Sequence, residues 1–149
     1  MFMEAALSQA IAAADVGEVP IGAVITRNGQ IIAKGYNRRI TDTDPTAHAE
    51  IVAIRRAAEV LGDWRLGGCT LYVTLEPCCM CAGAMVLSRI DRVVYGTPDP
   101  KAGAVDTLFQ LCSDERLNHK VEVTSGVLRE KCAEILTTFF KAQRALGKK

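Results

Sequence analysis

Thr70-Leu71-Tyr72-Val73-Thr74-Leu75-Glu76-Pro77-Cys78-Cys79-Met80-Cys81-Ala82-Gly83-Ala84-Met85 joins two kinds of structure in sixteen residues. Thr70 to Leu75 is a compact, apolar, β-prone run and predicts a strand. Pro77 then starts a short helix that carries Cys81, Met85 and Leu87. Upstream, Glu4 to Ala14 has apolar residues at helical spacing. Gly22 to Thr26 and Ile31 to Lys34 read as strands joined across Arg27-Asn28-Gly29-Gln30, and Asn-Gly there predicts a hairpin turn because both residues tolerate positive φ. After a polar loop through Arg38 to Asp44, Asp44-Pro45 predicts a helix start, and Ile51, Ile54, Ala58 and Leu61 give that helix one apolar face. Downstream, Asp91 to Tyr95 and Val121 to Thr124 predict two more strands, with about 25 residues between them. That interval suits a crossover helix, placed near Leu108, and hence parallel pairing. A last helix is expected from Val127 to Ala145. The whole reads as one α/β domain over residues 1–149, with a mixed sheet of about five strands and helices on both faces.

With 149 residues the chain is long enough to bury one good core. Hydrophobic residues at 49% and charged residues at 23% are ordinary for a soluble globular protein. No run of eighteen apolar residues predicts a membrane span, and Met1-Phe2-Met3-Glu4 does not open a signal peptide, so the cytoplasm is the expected compartment. The net charge of +1 is uninformative, but its distribution is uneven. From Arg129 onward stand Arg129, Lys131, Lys141, Arg144, Lys148 and Lys149 against only Glu130 and Glu134. Such an end either faces a polyanion or is simply the solvated side of a terminal helix.

Six cysteines (Cys69, Cys78, Cys79, Cys81, Cys112, Cys132) could pair as disulfides, but three of them crowd into five residues. Without a secretion signal, that clustering points to metal or redox chemistry. His48-Ala49-Glu50, followed twenty-six residues later by Pro77-Cys78-Cys79-Met80-Cys81, favours metal. Imidazole and two thiolates make a ligand set suited to zinc, and three ligands leave the fourth tetrahedral position for water, as in catalytic sites. Both ligand groups fall at predicted helix N-termini, where the dipole favours thiolates. Glu50, two residues from His48, is placed to move protons as a general acid and base rather than to bind the ion. A redox Cys-x-x-C pair would not carry the preceding His-x-Glu. A closed structural zinc would need a fourth ligand from Cys79, Cys69 or His119, and the side chain of Cys79 should diverge from that of Cys78.

A histidine, two cysteines and a non-ligand glutamate in this order resemble the site of zinc deaminases. The resemblance extends along essentially the whole chain to the bacterial tRNA-specific adenosine deaminases of the TadA type, within the cytidine deaminase superfamily. It is carried by Val19 through Val24, Gly35-Tyr36-Asn37-Arg38, Asp44 through Glu50, Thr70 through Met85 and Arg89 through Gly96. Asp99 through Ala104, Leu117 through Val123 and Phe139-Phe140-Lys141 continue it, and the segments with Asp99, Asn118-His119 and Phe139-Phe140 are more particular to the tRNA enzymes.

The resemblance implies a three-layer α/β/α fold and one Zn2+ per subunit. It also implies a homodimer with the RNA site built across two subunits. The implied reaction is hydrolysis of adenosine to inosine at the wobble position of a tRNA anticodon stem-loop, with release of ammonia. Single-stranded loops suit this, because their unstacked bases enter a pocket cheaply. By motif, Asn37 would contact the flipped adenine, the backbone around Ala49 and Cys78 would hold it, and Asp99 would lie near the ribose and backbone. Asn118, His119 and Phe140 are further candidate substrate contacts. Read alone, Asn37 is a turn residue, Asp99 a loop residue and His119 a strand-end residue. Val105-Asp106-Thr107 departs from the small Gly-Ser-like pair common in relatives, which touches the substrate loop and not the metal set. A free-base or nucleotide deaminase for guanine or cytosine, and a non-catalytic zinc-stabilised RNA-binding module, are the competing readings.

Overall fold

The computed structural model describes residues 1–147. In chain order the elements are α1 (Phe2–Asp15), β1 (Gly22–Arg27), β2 (Gln30–Tyr36), α2 (Ala49–Leu61), β3 (Cys69–Leu75), α3 (Cys79–Leu87), β4 (Arg92–Thr97), β5 (Glu122–Thr124) and α4 (Arg129–Ala145). The β1–β2 hairpin turns at Asn28 and Gly29, whose φ angles of 53° and 75° are the positive values the pair was expected to supply. The five strands form one sheet in the order β2-β1-β3-β4-β5. β1 is antiparallel to both β2 and β3, while β3, β4 and β5 run parallel, so the sheet is mixed.

Period-two alternation splits the strands between two faces. Leu71, Val73, Val93 and Tyr95 pack with Ala49, Ala53 and Ala57 of α2 and Ala82, Met85 and Val86 of α3. Val94 and Tyr72 point the other way, into a smaller cluster with Met3, Ala6 and Leu7 of α1 and Cys132 of α4. The result is the three-layer α/β/α architecture that the resemblance implied. Small residues bring α2 unusually close to the sheet. A Cβ on Gly35 would lie 2.7 Å from the Ala49 carbonyl oxygen and 2.8 Å from the Ala53 nitrogen. The first turn of α2 therefore rests directly on strand β2.

Two expectations are corrected. Helix α2 begins at Ala49 with His48 as its N-cap, not at Asp44-Pro45. Asp44 instead closes a local turn, its Oδ1 accepting bonds from the Thr46 amide at 2.8 Å and the Thr46 hydroxyl at 2.7 Å. The connection from β4 to β5 holds no α-helix near Leu108. It carries only a 3-10 turn, Leu111–Ser113, although β5 does pair parallel to β4. Helix α4 exposes Arg129, Lys131, Lys141 and Arg144. Lys148 and Lys149 of the basic end lie outside the described residues.

Gly35→Ala should destabilise the protein by about 1–3 kcal/mol, because the new methyl meets backbone rather than a side chain that can swing away. A lowered urea midpoint with an unchanged slope is the expected readout.

Candidate metal and substrate site

Helices α2 and α3 both begin at one end of the parallel strands, and their starts carry the chemistry. His48 is the N-cap of α2, Cys78 is the N-cap of α3, and Cys81 lies one turn into α3. The His48 Nδ1 sits 3.7 Å from the Cys78 Sγ and 3.6 Å from the Cys81 Sγ. Among the described residues, this is the one group of three or more His, Cys, Asp or Glu side chains that converges as a metal site would, all three donor atoms within 4.8 Å of one another. Cys79 is exposed and outside it, and no disulfide forms among the six cysteines.

The donor set fits zinc on geometry and on charge. Tetrahedral bonds of about 2.3 Å to sulfur and about 2.05 Å to nitrogen put those ligands roughly 3.6 Å apart, which is the spacing observed. The neighbouring Cys81 thiol, with the His48 ring reinforcing it against burial, holds the Cys78 thiol down at about 3. The neighbouring Cys78 sulfur and burial push the Cys81 thiol far up, and the contact with Cys78 raises the His48 ring. Three donors converging within 4.8 Å fit a divalent cation, which would replace the thiol protons on binding.

Glu50 lies beside this cluster in the first turn of α2 and is only 4% exposed. Burial pushes its carboxyl up to about 7, helped by the negative Cys78 sulfur. A carboxyl poised there gives and takes protons at neutral pH with little bias.

Above the cluster opens a cavity of about 160 Å³. This is small beside the roughly 300–1,000 Å³ of drug-sized pockets, and suits one ring system rather than an oligomer. Asn37, Ala49, Glu50 and Asp99 line it together with His48 and Cys78. Asn37 is buried, its Nδ2 donating to the Val19 carbonyl at 3.4 Å and its Oδ1 accepting from the Arg39 amide at 3.4 Å. Asp99 turns its own loop by accepting at Oδ1 from the Lys101 and Ala102 amides.

The other sequence candidates stand elsewhere. Asn118 is exposed, and the His119 ring bonds the Ile90 carbonyl at 2.7 Å. Phe140 is exposed on α4, edge-on to Phe139. None of the three lines the cavity. Conversely, sequence reasoning missed Arg39, which is exposed at the cavity wall, whereas Arg38 is committed to Asp42 and stacks on Tyr36. It also missed Glu18 and Glu76, buried carboxylates that bind the wall loops. Glu18 directly precedes Val19-Pro20 and Glu76 directly precedes Pro77-Cys78, but their donors stand 22 or more residues away in sequence and leave no local signal.

Residues 1–144 match the family model described as MafB19-like deaminase, so fold and site define a deaminase. The chain is 53% identical over 144 residues to the tRNA-specific adenosine deaminase of Bacillus subtilis (strain 168), covering 97% of this chain and 89% of that one. A solved structure from a study of A-to-I editing by tRNA:A34 deaminases at the wobble position superposes with a TM-score of 0.88 and 50% identity, over 91% of this chain and 98% of that one. The guanine deaminase of Bacillus subtilis superposes with a TM-score of 0.63 and 44% identity, over 65% of this chain and 62% of that one. The chain belongs to the tRNA-specific adenosine deaminase family.

Glu18 generates a pH prediction. Burial would raise its carboxyl, but bonds from the Thr41 amide at 2.6 Å, the Thr41 hydroxyl at 2.7 Å and the Ile40 amide at 3.3 Å outweigh this and hold it below its ordinary 4.5. A depressed carboxyl contributes stability that is present above its unfolded value and lost as pH falls through its folded one. Glu18→Gln should therefore lower the urea midpoint at pH 7, and the gap to wild type should shrink as pH falls through the carboxylate range.

Proposed function

We propose that this chain hydrolyses adenosine to inosine at the wobble position, 34, of a tRNA anticodon, releasing ammonia. The observation that carries the reading is the buried Glu50 carboxyl beside the converging His48–Cys78–Cys81 donors, at the base of a cavity sized for one nucleobase. The high identity to tRNA-specific adenosine deaminases over nearly the whole chain supports adenosine in RNA over a free base. Residues 1–149 act as one deaminase domain in this reading.

His48 through Nδ1, Cys78 and Cys81 would hold one zinc per subunit. Zinc bound there supplies Lewis acidity, which brings the ionisation of water from about 15.7 towards roughly 7. Glu50 accepts the proton of the attacking water at a carboxylate oxygen and passes it to N1 of the adenine ring as C6 is attacked. It then takes the proton of the new C6 hydroxyl and delivers it to the departing amine, so that ammonia leaves and C6 becomes the carbonyl of inosine. The Ala49 amide, at the open first turn of α2 where backbone donors lack helical partners, is available to the base. The Asn37 carboxamide orients the ring from the wall, and Asp99 faces the ribose side. Arg39, free at the rim, meets a flanking phosphate. Asn118, His119 and Phe140, being outside the cavity, would reach only RNA beyond the flipped base.

We further propose a homodimer in the cytoplasm, where tRNA is its partner. The exposed Val60 and Trp64, together with Leu87 at the end of α3, supply apolar surface for a second copy. No helix among the described residues is long and apolar enough to cross a membrane.

Purified protein incubated with an A34-containing anticodon stem-loop should form inosine in the RNA, and leave free guanine, cytosine and adenosine unreacted. Turnover of a free base alone overturns the RNA reading. About one zinc per chain is expected by elemental analysis, and a chelator that removes it should abolish deamination. Glu50→Ala should retain zinc and RNA binding while losing on the order of 10²–10⁴ in rate. Zinc lost with Glu50 would make it a ligand, and retained activity would remove it from proton transfer.

A further inference from the structure

The departure at Val105-Asp106-Thr107 finds its partner in Glu76. This side chain is 2% exposed and receives five hydrogen bonds, all from the loop that forms one wall of the cavity. Its Oε1 accepts from the Asp99 amide at 3.0 Å and from the Thr107 hydroxyl. Its Oε2 accepts from the amides of Val105 at 3.2 Å, Asp106 at 2.8 Å and Thr107 at 3.0 Å. The partners lie 23 to 31 residues away in sequence, so this is a long-range tie and no local turn.

The tie is built for a carboxylate in particular. Gly103 leaves the room: a Cβ there would collide with the Glu76 carboxylate and approach the Asp99 carbonyl oxygen to 2.6 Å. The Ala104 amide adds a bond to the Pro77 carbonyl at 2.9 Å, from the residue next to Glu76. An ionised carboxylate is acceptor-only on both oxygens, which matches a shell made entirely of donors. A glutamine in its place would turn an NH2 group towards either the Oε1 donors or the Oε2 donors, whichever way its amide lies. Oε2 faces three fixed amides, and Oε1 faces one amide and a rotatable hydroxyl. The NH2 therefore lies at less cost on the Oε1 side, where the Asp99 amide loses its bond and meets a repulsion.

We infer that Glu76 is a positioning residue that fixes the Asp99 wall of the substrate cavity to the segment bearing Cys78 and Cys81. Its effect runs through the loop backbone to substrate binding, not through the metal or the proton transfers of Glu50. The inference rests on the proposed role of Asp99 at the substrate.

Steady-state kinetics on the anticodon stem-loop, with zinc content and thermal melting measured alongside, test this in the full chain. Glu76→Gln should keep its zinc, raise KM about tenfold and change kcat far less, since the misplaced group belongs to binding. Asp99→Ala should also raise KM, and the double variant should rise no further than the larger single effect. Thr107→Val, which deletes one of the five donors and leaves the carboxylate, should raise KM in the same direction but less. A Glu76→Gln enzyme that loses zinc or kcat at unchanged KM overturns the inference, as do effects of Glu76→Gln and Asp99→Ala that multiply. If Glu76→Gln does not fold, Thr107→Val decides, and an unchanged KM there overturns it. A wild-type chain that turns over only a free base overturns the substrate reading instead, and the same KM comparison on that base then tests Glu76 separately. Asp99→Ala without any KM effect removes both.

Discussion

Two helix starts separated by thirty residues must meet within hydrogen-bonding reach for this molecule to have a site at all. His48 ends the loop before α2, and Cys78 ends the short link from β3 to α3, yet their donor atoms lie 3.7 Å apart. What holds them there is the packing of α2 and α3 on one face of the sheet, with Gly35 letting α2 sink onto β2 and β1 standing between β2 and β3. Widening any of these spacings by a methyl group moves a ligand, because the helices are rigid and the donors sit at their very ends. The same arrangement points two sets of unpaired backbone amides at one spot, which favours thiolate there before any metal binds.

Much of this was legible in the sequence because it is local. The Asn28-Gly29 turn follows from two residues' tolerance of positive φ. The Cys78 and Cys81 spacing is one helical turn, and Glu50 follows His48 on the same first turn. Where the reading failed, two local solutions competed. Asp44-Pro45 has the chemistry of a helix start, but Asp44 spends its side chain on Thr46, and the chain makes a closed turn before the helix begins after His48. The interval before β5 has the length of a crossover helix, but its residues 105 to 107 give their amides to Glu76 instead of to a helical ladder. The wall residues Arg39 and Glu76, and Glu18 behind the wall loop, were invisible for a related reason. Tertiary folding brings Arg39 to the cavity and gives Glu18 and Glu76 their donors, and sequence spacing encodes neither.

Three glutamates of nearly equal burial show how the fold assigns different work to one residue type. Glu18, Glu76 and Glu50 are 1%, 2% and 4% exposed. Burial raises all three carboxyls, and what decides the outcome is how many donors each receives. Glu18 and Glu76 collect amide and hydroxyl bonds from the loops that carry Asn37 and Asp99, and both end below their ordinary value. They remain charged and act as fixed anchors. Glu50 has few donors and a thiolate beside it, and it stays near 7. An anchor must not change its charge during turnover, whereas a proton carrier must do so twice. The cavity therefore has walls tied by carboxylates that keep their charge, and a floor carboxyl free to exchange a proton. That division is why substitutions at Glu50 and Glu76 should separate into rate and binding, although both are buried acids within two residues of a proposed ligand.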